Sequence, residues 1–143
     1  TDKANTLKDI GKLLLSPTRT YSPLIKRIIE NYKENINGII HCTGGGQTKV
    51  MHFIKNLRII KNNMFNIPEI FQIIKSEAKY SYKEMYQVFN MGHRMEIYCK
   101  EKCAKSIIEE SNKFNIEAKI IGRVEKSDKK ELIIENSEEK IIY

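Results

Sequence analysis

Leu24, Ile25, Ile28, Ile29 and Tyr32 recur at the three- and four-residue spacing of one helical face. A helix is therefore predicted from Ser22-Pro23 to near Asn35, with Ser22 as its cap and Pro23 in the first helical position. Residues 36–42 read as a buried strand that stops at Gly44-Gly45-Gly46. Beyond the glycines, Val50, Met51, Ile54 and Leu57 suggest a short helix, and residues 57–60 an extended run. Pro68 opens another helix, with Ile70, Phe71, Ile73 and Ile74 inside. Ser81-Tyr82-Lys83-Glu84 has the form of a capping box and starts a short helix that turns Met85, Val88 and Phe89 one way. Gly92 then supplies a left-handed stop or a bend into a strand. Residues 95–99 alternate loosely as a strand, and residues 102–114 form a helix with Ala104, Ile107 and Ile108 inward, ended by Asn115. Residues 118–124 read as a strand, and Leu132-Ile133-Ile134 with Ile141-Ile142-Tyr143 as a closing hairpin.

In this order of elements, residues 95–124 make a β-α-β unit. With a terminal hairpin added, the fold class is α+β, a mixed β-sheet covered by helices. The 143 residues suffice for one domain with a real core. Residues 1–14 are assigned to a leading linker, with a short helix around Leu7, Ile10 and Leu14, and residues 15–143 to the folded domain. Hydrophobic residues are 41% and charged residues 30% of the chain, which excludes wholesale disorder. No apolar run reaches the roughly 18 residues of a membrane span. The polar start at Thr1, without an initiator Met or an apolar signal region, reads as a processed chain or an excised segment.

The formal net charge of +7 invites a nucleic-acid reading. The lysines, however, are interleaved with glutamates, as in Lys100-Glu101-Lys102, and no ladder of aromatic residues accompanies them. A basic balance suits small anionic ligands equally well. Cys42, Cys99 and Cys103 are an odd set without a repeated spacing, which points to a reducing compartment; with His41, His52 and His93 they complete no metal set, so no metal site is expected. Cys42 reads as a small buried hydrophobe.

The chemistry centres on His41-Cys42-Thr43-Gly44-Gly45-Gly46. Glycines after a buried strand are either a plain tight turn or a bare-backbone cradle, whose successive N–H groups hold an anion beside a helix start. The run is not a Walker loop, because Lys49 is followed by Val50. His41 is either a core histidine or a hydrogen-bond donor and proton carrier. Thr43 is either a turn hydroxyl or a phosphate ligand, and Asn90 either a helix-exit cap or a ligand contact.

Five ordered stretches carry a family resemblance. They are Leu15-Ser16-Pro17-Thr18-Arg19-Thr20-Tyr21, Ile39-Ile40-His41-Cys42-Thr43-Gly44-Gly45-Gly46, Ile67-Pro68-Glu69-Ile70-Phe71, Glu84-Met85-Tyr86-Gln87-Val88-Phe89-Asn90-Met91-Gly92 and Ile121-Gly122-Arg123-Val124. The chain resembles the C-terminal domain of the aminoimidazole ribonucleotide synthetases, the phosphoribosylformylglycinamidine cyclo-ligases. Two stretches depart from the family pattern. Lys49-Val50-Met51-His52-Phe53 stands where the family has an Asn and a Pro-Arg pair, so the roles of that Asn and Arg do not carry over, and Lys49 is the candidate for the positive charge. His93-Arg94 replaces apolar residues and is expected to face the cleft.

The resemblance implies a cytoplasmic, two-domain enzyme of purine biosynthesis. Its N-terminal half, outside this chain, would carry the main ATP and Mg2+ site and the homodimer core, and this chain would form one wall of the cleft. ATP would phosphorylate the formyl oxygen of formylglycinamidine ribonucleotide, and a nitrogen would then close the imidazole ring and expel phosphate. Carried onto this chain, the resemblance makes His41 the catalytic candidate, and Thr18, Arg19, Tyr21, Thr43, Gly44, Gly45, Gly46 and Asn90 the substrate- or phosphate-binding candidates. Arg19 is either an anion clamp or a surface salt bridge. The isolated piece would be inactive. The alternatives are a domain of another ATP-dependent enzyme of the same superfamily, or a basic nucleic-acid-binding module. Neither nucleic acid nor membrane is the expected partner.

Overall fold

The computed structural model describes residues 11, 12, 15 and 19–143. The leading helix expected around Leu7, Ile10 and Leu14, and Thr18 among the site candidates, lie outside the described residues. The elements run α1 (Ser22–Tyr32), a 3-10 turn (Lys33–Asn35), β1 (Ile36–His41), a 3-10 helix (Gly46–His52), β2 (Leu57–Lys61), α2 (Glu69–Ala78) and α3 (Tyr82–Val88). They continue as β3 (Met95–Cys99), α4 (Glu101–Lys113), β4 (Gly122–Lys126), β5 (Glu131–Glu135) and β6 (Lys140–Ile142). The class is α+β, as the hydrophobic pattern implies.

Two sheets share the strands. One has four strands in the order β4-β2-β5-β6: β2 runs antiparallel to β4 and parallel to β5, and β6 closes the expected hairpin on β5. The other pairs β1 with β3, antiparallel, with Ile40 opposite Glu96 and His41 opposite Met95. The β-α-β unit expected over residues 95–124 is therefore not formed. β3 and β4 flank α4 but join different sheets, because the β1 ladder takes β3 and the β2 ladder takes β4. Pattern within a segment sets its conformation; it does not say which partner satisfies its backbone.

Smaller corrections have local causes. α1 begins one residue earlier than expected: the Ile25 N–H donates to the Tyr21 carbonyl at 2.9 Å, so Tyr21 is the cap residue and Ser22 lies inside the helix. The strand expected at 118–124 starts at Gly122, since the Ile121 carbonyl is taken by the N–H groups of Asn62 and Asn63. The helix expected through Ile54 and Leu57 is a 3-10 helix ending at His52, and Leu57 begins β2. The Ser81–Glu84 capping box is formed reciprocally. After α3 the left-handed backbone belongs to both Met91 (φ 52°) and Gly92 (φ 123°). Asn115, also left-handed, ends α4 as expected.

The β1–β3 sheet is covered on both faces. On one side Leu24 and Ile28 of α1 and Cys103 and Ile107 of α4 pack with Ile36, Ile97 and Cys99. Arg27 of α1 pairs with Glu110 of α4 at 2.5 Å and ties the two helices together, while Lys113, three residues on in α4, holds Glu110 at 2.7 Å. On the other side Ile40 and Cys42 enter the main core with Val50, Ile59, Met85, Tyr86, Leu132 and Ile134. Leu132→Ala, at a side chain with no exposed surface, is expected to cost about 2–5 kcal/mol of unfolding free energy. Ile142→Ala, at a half-exposed position on β6, should change it by no more than about 0.5 kcal/mol. Urea denaturation of the two variants checks both values.

Candidate functional site

The glycine loop is built from β1 outward. Strand alternation sends Ile40 and Cys42 into the main core and His41 to the opposite face, where the edge of its ring meets Tyr21 with centroids 6.1 Å apart. The Cys42 N–H donates to the Arg94 carbonyl at 2.7 Å, so the loop leaves the sheet anchored to the segment before β3. The Thr43 N–H returns to the His41 carbonyl (2.8 Å) and the Gly46 N–H to the Thr43 carbonyl (3.1 Å). Among the described residues, the N–H groups of Gly44 and Gly45 have no acceptor. Lys49 reaches back across the bend, its Nζ donating to the His41 carbonyl (3.1 Å) and to Thr43 Oγ1 (3.0 Å).

The three glycines divide their work. A Cβ on Gly44 would meet nothing within 4 Å, so this residue faces open space. Gly45 has φ 91°, which only glycine adopts cheaply. Gly46 is buried with φ 48°, and a Cβ there would lie 2.5 Å from the carbonyl oxygens of both Tyr86 and Phe89. It is a packing glycine that lets the loop close on the end of α3. The expected cradle of three bare amides is thus reduced to Gly44 and Gly45.

The other candidates separate. Tyr21, His41 and Thr43 lie with the loop. The Asn90 side chain accepts from the Gly92 N–H (3.1 Å), a local turn, while its carbonyl accepts from Gln47 Nε2 (2.5 Å). Arg19 is exposed and donates from Nη1 to the Asn115 carbonyl (3.1 Å), beyond the end of α4. Among the described residues it forms no salt bridge, and one of its N–H groups satisfies a chain carbonyl after a helix. His41 Nε2 is enclosed without a partner among the described residues.

Behind the loop lies a buried polar centre that sequence reasoning missed. Lys61, at the end of β2, is 1% exposed, and its Nζ donates to the Gln47 carbonyl (2.8 Å), Gln47 Oε1 (2.9 Å) and Glu96 Oε1 (2.5 Å). Gln47, equally buried, donates from Nε2 to the carbonyls of Asn90 and His93. Glu96 Oε1 also meets His93 Nε2 at 2.8 Å, and Oε2 accepts from the Tyr98 hydroxyl at 2.6 Å. His93, expected to face a cleft, is instead buried under the Phe65 ring. The one available signal was period 2 in β3, which puts Glu96 and Tyr98 on a single face. In a strand buried on both sides, that face is not solvent.

Electrostatics follow from this packing. Burial pushes the Glu96 carboxyl up, but the His93 hydrogen bond and the Lys61 charge outweigh it and hold the group at about 2. Burial, and then the Glu96 charge, push the Cys42 thiol up to about 12 and the Tyr98 phenol well above its ordinary range. Cys42 is buried, as expected, and stays a thiol. The candidate ligand atoms of Cys42, His93 and Glu96 lie within 4.8 Å of one another. Glu96 of this set is already paired with the Lys61 ammonium, and a thiol and an imidazole are poor partners for a hard ion such as Mg2+.

Against this geometry, the comparisons with known proteins are decisive. Residues 1–135 match the family described as "AIR synthase related protein, C-terminal domain". The chain belongs to this family. It is 38% identical over 122 residues to the phosphoribosylformylglycinamidine cyclo-ligase of Syntrophus aciditrophicus, covering 83% of this chain and 35% of that protein. The enzymes of the same name from Fusobacterium nucleatum and Methanopyrus kandleri are 34% and 31% identical, covering 83% and 82% of this chain and 35% and 33% of theirs. This AIR-synthase-type chain therefore spans about one third of the length of the curated relatives it matches. No described helix is long and apolar enough to cross a membrane.

Two outcomes are expected. Gly46→Ala forces a Cβ onto two carbonyls at positive φ and should cost roughly 2–5 kcal/mol, whereas Gly44→Ala, in open space, should stay within about 0.5 kcal/mol; chemical denaturation separates them. The second concerns acid. A carboxyl held at about 2 against 4.5 when free stabilises the fold above pH 4.5, and that contribution drains away as pH falls towards 2. Glu96→Gln should start less stable at neutral pH yet lose stability less steeply across that window, measured by unfolding at a series of pH values. Glu84, Glu110 and Glu131 are held low as well, so some slope remains.

Proposed function

We propose that this chain is the second domain of a phosphoribosylformylglycinamidine cyclo-ligase and supplies an oxyanion-holding wall of its active site. The observation that carries the reading is the similarity of more than four fifths of the chain to enzymes of that name, at 31% to 38% identity. The fold adds a loop suited to the task. The Gly44 and Gly45 N–H groups are open donors, Gly44 leaves room for close approach, and Lys49 lies across the same bend. Such a site holds a ribose phosphate or a nucleotide phosphate by hydrogen bonds and charge, with no covalent nucleophile.

In the reaction, ATP supplies the phosphoryl group that makes the formyl oxygen of formylglycinamidine ribonucleotide a leaving group, and ring closure releases phosphate. The contribution of this chain is to bind and orient. Gly44 and Gly45 hold the oxyanion, and Lys49 balances its charge from Thr43. Tyr21 packs on His41 and keeps that ring beside the start of the loop. The Cys42, His93 and Glu96 cluster does not suit Mg2+, so no step is assigned to magnesium held here. The remaining two thirds of such an enzyme would carry the main ATP site and the dimer contact, and its place would be the cytoplasm.

The test is ATP-dependent ring closure by the full-length parent, with and without Gly45→Val. At φ 91° a branched side chain distorts the loop and should lower kcat/KM roughly a hundredfold, on the scale of losing an oxyanion donor. A parent protein that closes no ring sinks the assignment.

A further inference from the structure

The open amides of Gly44 and Gly45 are useful only if something holds the bend still. Glycines lose the most freedom on ordering, and anion recognition by bare N–H groups needs positions fixed to about 0.5 Å. Within the loop itself the restraints are local: Thr43 N–H to the His41 carbonyl, Gly46 N–H to the Thr43 carbonyl, Thr48 N–H and hydroxyl to the Gly45 carbonyl, and the Lys49 reach-back. The firm restraints come from behind.

Gln47 directly follows the third glycine, and its main-chain carbonyl and both side-chain polar atoms are engaged. Its carbonyl and Oε1 take two of the three Lys61 protons, and Glu96 takes the third. Its amide nitrogen grips the carbonyls of Asn90 and His93, on the segment that also receives the Cys42 N–H at Arg94. One ammonium thus fastens the exit of the glycine loop to β2 and β3, and Gln47 Nε2 fastens it to the turn between α3 and β3.

We propose that Lys61, with Gln47 and Glu96, is the positioning set of the glycine loop, holding Gly44 and Gly45 in the shape that presents their N–H groups to an oxyanion. The inference rests on the reading of that loop as an oxyanion site. Lys61 acts by geometry: it is 1% exposed, its three donors are spent inside the protein, and Glu96 cancels its charge. That gives the proposal an unusual sign. Removing the Glu96 carboxylate raises the net charge by one, which on charge alone tightens anion binding. If Glu96 positions, the same change weakens it.

The experiment uses the 15N-labelled full chain, titrated with inorganic phosphate at fixed ionic strength, following Gly44 and Gly45. Glu96→Gln should weaken the response roughly tenfold, the worth of one well-placed hydrogen bond. An unchanged or tighter response overturns the proposal. Amide hydrogen exchange is the second readout. In Glu96→Gln the Gly46 and Thr48 amides should accelerate roughly tenfold more than those of Leu132 and Ile134 in the core. Uniform acceleration means a general loss of stability and also overturns it. Should wild-type Gly44 and Gly45 ignore phosphate, the oxyanion reading fails, and the exchange pattern still decides whether the set positions the loop. If Glu96→Gln does not fold, Tyr98→Phe removes only the Oε2 partner. It should move both readouts the same way by a smaller amount, and no movement counts against the proposal.

Discussion

The Lys61–Glu96 ion pair joins two sheets that share no strand. Lys61 ends β2 in the four-stranded sheet, and Glu96 lies in β3 of the two-stranded one, with oxygen and nitrogen 2.5 Å apart and both side chains almost wholly enclosed. A pair so placed is poor evidence of net stability, since desolvating two ions costs about what their attraction returns. What it provides is exclusivity. Either charge left alone in that core costs several kcal/mol, so arrangements that separate β2 from β3 are heavily disfavoured. The surrounding hydrogen bonds sharpen the constraint: Lys61 spends three donors, and both Glu96 oxygens are engaged.

That constraint explains why the glycine run behaves as three different residues. Gly46 must be a glycine because the Lys61 and Gln47 contacts draw the loop exit against the carbonyls ending α3, where no Cβ fits. Gly45 must turn left-handed to begin the 3-10 helix that carries Gln47 inward. Gly44 alone has neither demand, and it is the residue left facing solvent. Bare backbone at the tip is therefore partly a by-product of packing below it. A run of identical letters conceals this, because identity of residue is not identity of environment.

Local structure was largely legible in the chain. The helix from Leu24 to Tyr32, the Ser81 capping box, the hairpin at the C-terminus and the helix stop at Asn115 each follow from nearest neighbours along the sequence, and each is formed. Partner choice was not legible. Residues 95–124 have the pattern of a β-α-β unit, yet β3 and β4 pair in different sheets, since register energies come from strands distant in sequence. The site was half legible for the same reason. Tyr21, His41, Thr43 and the glycines lie close together, as motif spacing suggests, but Arg19 directs one N–H to the Asn115 carbonyl and Asn90 its side-chain oxygen to the Gly92 amide. Lys61 and Glu96 stand in apolar strands, where a charged residue reads as the solvent face unless both faces are known to be covered.

Alternation through β1 also separates two chemistries that are adjacent in sequence. Cys42 turns towards Glu96 and is held as an inert thiol, by burial first and by the Glu96 charge second. His41 turns the other way, against Tyr21, and contributes to the loop through its carbonyl, which accepts from Thr43 and Lys49. Its imidazole is thus placed on the other face of the sheet from the carboxylate that dominates the core. On the Glu96 side the carboxylate gathers hydrogen bonds from Lys61, His93 and Tyr98, and the ring beside Tyr21 takes no part in that network. The strand pleat, more than any single contact, therefore keeps the polar centre behind the loop from interfering with the ring beside it.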